Sequence, residues 1–224
     1  MKKIIISFAL ALFFIPAAFA GKWTNNIGAA FDFQLSLSNY SDDDVSDITQ
    51  TGYGFHTTYI GLAENGFTAK FDLNAGLVLS DDVDIQDSDI NAGVYTSYSF
   101  GAGYSFINKE NFILGIAAVL CADFYDYSYS ETETISGIEH QYENTLSTSI
   151  FSAGLDIYSR LSFTEHFGMY ANLSGRYFVA GYTSLTQSDE YESGSSTSIQ
   201  SYKSDETLFG NFLIEPSLGF MWTF

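Results

Sequence analysis

Apolar residues recur at every second position through most of this chain. From Ile27 one set reads Ile27, Ala29, Phe31, Phe33, Leu35 and Leu37, and the set between reads Gly28, Ala30, Asp32, Gln34, Ser36 and Ser38. A period of two puts alternate side chains on opposite faces of a strand. The same alternation predicts strands over 27–38, 53–63, 67–79, 90–106, 112–125, 147–163, 167–179 and 208–224. Between them lie long polar segments, 39–52, 80–89, 126–146 and 183–206, alternating with short turns. The short turns share a form: Glu64-Asn65-Gly66-Phe67, Glu110-Asn111-Phe112 and Glu165-His166-Phe167. Asn-Gly is a strong signal for a two-residue hairpin turn, because both residues tolerate φ > 0. Such a turn at Asn65-Gly66 would pair Leu62 with Ala69 and Ile60 with Phe71. It would place Tyr53, Phe55 and Tyr59 on the polar, inner face.

The last strand has the clearest faces. Phe212, Ile214, Pro216, Leu218, Phe220, Trp222 and Phe224 form one; Asn211, Leu213, Glu215, Ser217, Gly219, Met221 and Thr223 form the other. Pro216 lacks the N–H that a ladder needs, which predicts a bulge or a local gap there.

The polar faces decide what surrounds these strands. They are mainly Gly, Ser, Ala and Asn, and they carry the strand charges: Asp32, Lys70, Asp72, Asp123, Asp156, Arg160, Arg176 and Glu215. A soluble eight-stranded barrel, with the apolar face inside, would expose a more highly charged outer face. A lipid boundary excludes Lys and Arg from the apolar face, because each costs about 2–4 kcal/mol at the bilayer midplane. The inside of an eight-stranded barrel is just wide enough for side chains, so these charges are expected to pair. Arg176 with Glu215, and Lys70 with Asp72 or Asp32, are the expected partners.

Composition narrows the partners. The 27 acids against 8 bases give a net charge of −19, which excludes nucleic acid as a natural partner. Nineteen of the acids fall in the four long polar segments. Asp82, Asp84, Asp87 and Asp89 alternate but lack the Gly and distal Glu of a calcium loop, so no metal site or cofactor is expected. The N-terminus has Lys2 and Lys3, an apolar run from Ile4 to Ile15, and Ala18-Phe19-Ala20. This predicts a secretory signal over residues 1–20, cleaved after Ala20; the run is too short for a membrane-spanning helix.

An even number of strands, tight turns on one end, long loops on the other and a terminal aromatic resemble the small eight-stranded bacterial outer-membrane β-barrel proteins, of the OmpA transmembrane domain, OmpX and OmpW type. The resemblance implies an all-β, antiparallel up-and-down transmembrane barrel over 21–224, with four extracellular loops and both termini periplasmic. It also implies that Phe220, Trp222 and Phe224 act as the insertion signal for periplasmic chaperones and the barrel-assembly machinery. The expected protein is monomeric, in contact with outer-membrane lipid, non-catalytic, and able to meet an extracellular ligand through its loops. Two other functions stay open. One is a narrow pore or an OmpW-like carrier of small or hydrophobic molecules, lined by Tyr53, Tyr59, Tyr125, Tyr158 and Tyr170. The other is a lipid-modifying enzyme, for which His56, expected near the outer end of strand two, is the one candidate residue. Motifs such as G-x-S-x-G and H-E-x-x-H are missing.

Overall fold

The computed structural model describes residues 22–38, 48–80, 84–85, 88–89, 92–135, 138–191, 194–202 and 212–224. The expected signal segment and its cleavage site lie outside these residues, as do much of the first two polar segments and the end of the fourth.

Eight long strands form the fold: β1 (Trp23–Ser38), β2 (Ile48–Ala63), β3 (Phe67–Ser80), β4 (Ala92–Lys109), β5 (Phe112–Ile135), β6 (Ile138–Ser162), β7 (Phe167–Tyr191) and β8 (Phe212–Thr223). Each pairs antiparallel with its sequence neighbour where the two are joined by a hairpin, and β8 pairs with both β7 and β1. The sheet therefore closes on itself as an up-and-down barrel with no free edge around the ring. The β1–β8 ladder keeps one register from Asn26↔Thr223 to Leu37↔Phe212. Within it the pairs Phe33–Pro216 and Gln34–Glu215 are missing, while Pro216 still pairs with Leu173 of β7. The proline leaves a gap in the ladder rather than a bulge.

The apolar positions face outward. Phe31 and Phe55 are 68% and 67% exposed, and residues such as Leu77, Phe100, Leu155, Leu173, Leu218 and Phe220 continue the band around the wall. An exposed apolar surface of this extent is foreign to a soluble monomer; it is the outer face of a transmembrane barrel. At the turn end, aromatic rings cluster: Trp23 against Phe67 at 5.9 Å, Phe167 against Phe220 at 5.5 Å and His166 against Trp222 at 5.7 Å. That end is also stitched by backbone bonds from Thr223 N to His166 O (2.8 Å) and Glu64 N to Lys22 O (3.1 Å).

Strand two departs from expectation. Gly66 has φ +87°, and Gly66 N bonds to Ala63 O at 2.9 Å. The loop is thus three residues, Glu64-Asn65-Gly66, of the kind that ends on a left-handed glycine. Leu62 consequently pairs with Thr68 and Ile60 with Lys70. A one-residue slip turns every side chain of a strand over. Tyr53, Phe55 and Tyr59 therefore face outward, and His56, Thr58, Ile60 and Leu62 face inward.

The third and fourth polar segments also differ from expectation. Rather than loops, most of 126–146 continues β5 and β6, which pair without interruption to Ile135↔Ile138. Likewise β7 runs on to Tyr191, and a further strand, Gly194–Tyr202, pairs antiparallel with it. Strands β5, β6 and β7 are 24, 25 and 25 residues long, whereas about 9–11 suffice to cross a bilayer. A four-stranded sheet thus stands beyond the apolar band on one side of the barrel. In the second polar segment Asp84 pairs with Asp89 and Ile85 with Ser88.

Candidate functional site

The interior holds the chemistry. Asp32, Lys70, Asp72, Asp123, Asp156, Arg160, Arg176 and Glu215 are all 5% exposed or less. Two ion clusters form. In the first, Lys70 Nζ donates to Asp72 Oδ2 and Asp156 Oδ2, each at 2.5 Å, and Ser99 Oγ donates to Asp72 Oδ2 at 2.6 Å. In the second, Arg176 donates to Asp123 Oδ1 at 2.8 Å, to Ser97 Oγ at 3.1 Å and to Glu215 Oε2. Glu215 also accepts from Gln34 Nε2 at 3.0 Å and Asn74 Nδ2 at 2.6 Å, and Ser152 Oγ donates to Asp123 at 3.1 Å.

His56 lies between the clusters. Its Nε2 is 3.3 Å from Asp72 Oδ1 and its Nδ1 is 3.7 Å from Glu215 Oε1. With it, all eight strands contribute to one network: Gln34 from β1, His56 from β2, Lys70, Asp72 and Asn74 from β3, Ser97 and Ser99 from β4, Asp123 from β5, Ser152 and Asp156 from β6, Arg176 from β7, Glu215 from β8. Gln34 to Glu215 also spans the ladder gap beside Pro216, so side chains close the seam where backbone pairs are missing.

Asp32 accepts from the Tyr95 phenol rather than pairing with Lys70. Room for that phenol comes from two glycines facing each other across β2 and β3. A Cβ on Gly54 would meet Ala75 O at 2.3 Å and Tyr95 Oη at 2.6 Å, and one on Gly76 would meet Gly54 Cα at 2.6 Å. Tyr158 Oη shares hydrogen bonds with Thr68 Oγ1 at 2.6 Å and Ser105 Oγ at 3.0 Å. Arg160 contradicts the expectation of general pairing. Among the described residues no carboxylate lies within ion-pair distance of it, and its Nε and Nη2 have no hydrogen-bond partner.

Of the expected residues, Arg176 meets Glu215 and Lys70 meets Asp72, while Asp156 and Asp123 supply second carboxylates. Sequence reasoning missed the central place of His56 and the linking roles of Gln34, Asn74, Ser97 and Ser99. The signal for His56 was its alternation with Phe55 and Thr57, obscured by the wrong turn length. Of the five tyrosines expected inside, Tyr125, Tyr158 and Tyr170 are buried, whereas Tyr53 and Tyr59 lie on the outer wall. His56 is enclosed at 1% exposure rather than standing at a rim. Among the described residues no group of three or more His, Cys, Asp or Glu is arranged to hold a metal ion.

No protein-family model matches the sequence, and no curated protein matches it. Solved structures do resemble the fold. A major outer membrane protein from Thermus thermophilus superposes with a TM-score of 0.57 at 14% identity, over 88% of this chain and 99% of that one. Neisserial surface protein A superposes with a TM-score of 0.50 at 10% identity, over 92% of this chain and 99% of that one. At such identities the likeness is one of fold: this chain has the fold of the small outer-membrane β-barrel proteins.

Proposed function

We propose that the chain is an outer-membrane barrel with a closed interior, without catalytic role, that holds an acidic β-sheet above the membrane for contact with molecules outside the cell. The observation that carries this reading is the pairing of an apolar outer band with an interior crossed by one ion network from all eight strands. In this reading a network so enclosed leaves the barrel no aqueous path, and His56 lies buried between Asp72 and Glu215 rather than presented to a substrate. The extended strands add the outward surface. Asp126, Glu131, Glu133, Glu139, Glu143, Asp189 and Glu190 lie in them, and residues 126–147 and 181–202 contain no Lys or Arg. Such a field favours a cationic partner.

In this reading residues 1–20 direct export and are removed, and Phe220, Trp222 and Phe224 present the last strand to periplasmic chaperones and the assembly machinery. Both termini then lie on the periplasmic side with the short turns, and the barrel acts as a monomer in outer-membrane lipid. The test is a variant in which residues 129–143 are replaced by an Asn-Gly turn. Vesicles bearing it should keep a folded barrel and bind poly-lysine more weakly at physiological salt. Undiminished poly-lysine binding would remove the outward sheet from the account.

A further inference from the structure

One interior carboxylate has no cation. Lys70 takes Asp72 and Asp156, and Arg176 takes Asp123 and Glu215. Arg160 stands near the short-turn end of β6 and makes no ion pair among the described residues. Asp32 is 4% exposed; its Oδ2 accepts from the Tyr95 phenol, and its Oδ1 has no hydrogen-bond partner among the described residues. The strand register sets two more oxygens in line with it. Asp32 of β1 pairs with Ser217 of β8, and Ser217 pairs in turn with Asn172 of β7. All three residues face inward and are buried, and Ser217 Oγ and Asn172 Oδ1 are likewise without partners. Directly opposed Cα atoms lie about 4.5–5.5 Å apart, so the three side chains form one row across three strands. Ser217 is able to donate to the carboxylate beside it, yet the two make no hydrogen bond.

We propose that Asp32 Oδ1, Ser217 Oγ and Asn172 Oδ1 bind one monovalent alkali cation, sodium, on the inner face of the barrel where β7, β8 and β1 meet. Charge is the first reason. A buried carboxylate without a counter-charge is costly, and the other interior carboxylates already hold the cations that reach them. Water between the three oxygens would satisfy their lone pairs and leave that charge uncompensated. Ligand chemistry is the second reason: a carboxylate, a hydroxyl and an amide carbonyl are hard oxygen donors, suited to s-block ions and not to soft transition metals. Valence is the third. Calcium takes six to eight oxygens, with carboxylates prominent among them, whereas this row supplies a single carboxylate. The place also gives the ion a structural part. Ser217 follows Pro216, beside which the β1–β8 ladder lacks two pairs, so a cation shared by Asp32, Ser217 and Asn172 ties the closing strand to both its neighbours.

The test is made on the refolded protein in phosphatidylcholine vesicles. Sodium chloride is exchanged stepwise for N-methylglucamine chloride at constant ionic strength, and the urea midpoint is read from Trp23 and Trp222 fluorescence. Once the site fills, each tenfold rise in sodium should raise the wild-type midpoint by about 0.7 M. Asp32→Asn keeps the shape, removes the charge and should abolish this dependence. Ser217→Ala keeps the carboxylate and should move the dependence to higher sodium; it decides the matter alongside wild type if Asp32→Asn does not fold. A wild-type midpoint indifferent to sodium would overturn the proposal, leaving water or a proton at Asp32. The full dependence persisting in the variants would overturn it as well, since sodium would then act elsewhere. So would a rise produced by calcium and not by sodium.

Discussion

Arg176→Met is the perturbation that probes the interior most sharply. The guanidinium is 2% exposed and holds Asp123 at 2.8 Å and Glu215 on its other side. Methionine keeps the apolar stem and deletes the charge, so two enclosed carboxylates lose their cation. Breaking a buried ion pair by removing one partner costs about 3–5 kcal/mol. Here the lower end applies, because Glu215 keeps Gln34 and Asn74 and Asp123 keeps Ser152. With a urea slope of about 2 kcal/mol per molar, a loss of about 3 kcal/mol moves the unfolding midpoint down by roughly 1.5 M. The assay is equilibrium urea unfolding in lipid vesicles, followed by the fluorescence of Trp23 and Trp222, with Lys109→Met at an exposed turn as the control. Adding Glu215→Gln to Arg176→Met should recover part of the loss, since contacting residues do not act additively. A midpoint within about 0.3 M of wild type would refute the reasoning, because it would mean the interior does not depend on this cation.

Three other outcomes are expected. Gly54→Val puts a side chain where Ala75 O and the Tyr95 phenol already stand; overpacking of this kind costs about 1–3 kcal/mol, read as a lowered urea midpoint. Leu155→Arg places a cation on the outer band and should cost about 2–4 kcal/mol, whereas Asn108, an exposed polar site at the end of β4, should accept Arg without change in the same unfolding assay. Deleting Phe224 should slow assembly into outer membranes in cells, measured by pulse-chase, while leaving the midpoint of protein refolded in vesicles nearly unaltered.

Period two made the wall legible from the sequence alone, because lipid outside and a narrow polar interior impose opposite demands on alternate residues. The interior charges were legible for the same reason: a carboxylate or guanidinium flanked by apolar neighbours in a strand has only the inside to face. Strand two was not legible, since Asn65-Gly66 serves a two-residue or a three-residue loop equally well and its apolar residues occupy both faces, Tyr53 and Phe55 outward and Ile60 and Leu62 inward. The extension of β5–β7 was hidden for a different reason. Once strands leave the membrane both faces meet water, hydrophobic alternation fades, and Ser/Thr-rich strand looks like loop. Pairing geometry inside the network depends on which strands lie opposite in the closed ring. For that reason Arg176 with Glu215 on adjacent strands could be expected, while Lys70 with Asp156 and His56 between two clusters could not.

The central claim is that the ion network closes the barrel. Its most direct test is single-channel recording of the refolded protein in a planar bilayer, with insertion verified by tryptophan fluorescence on matched vesicles. The account predicts no steady conductance above leak for the inserted wild type. A steady conductance that scales with salt concentration would contradict it, and would show that Lys70, Asp72, His56, Arg176 and Glu215 line an open path.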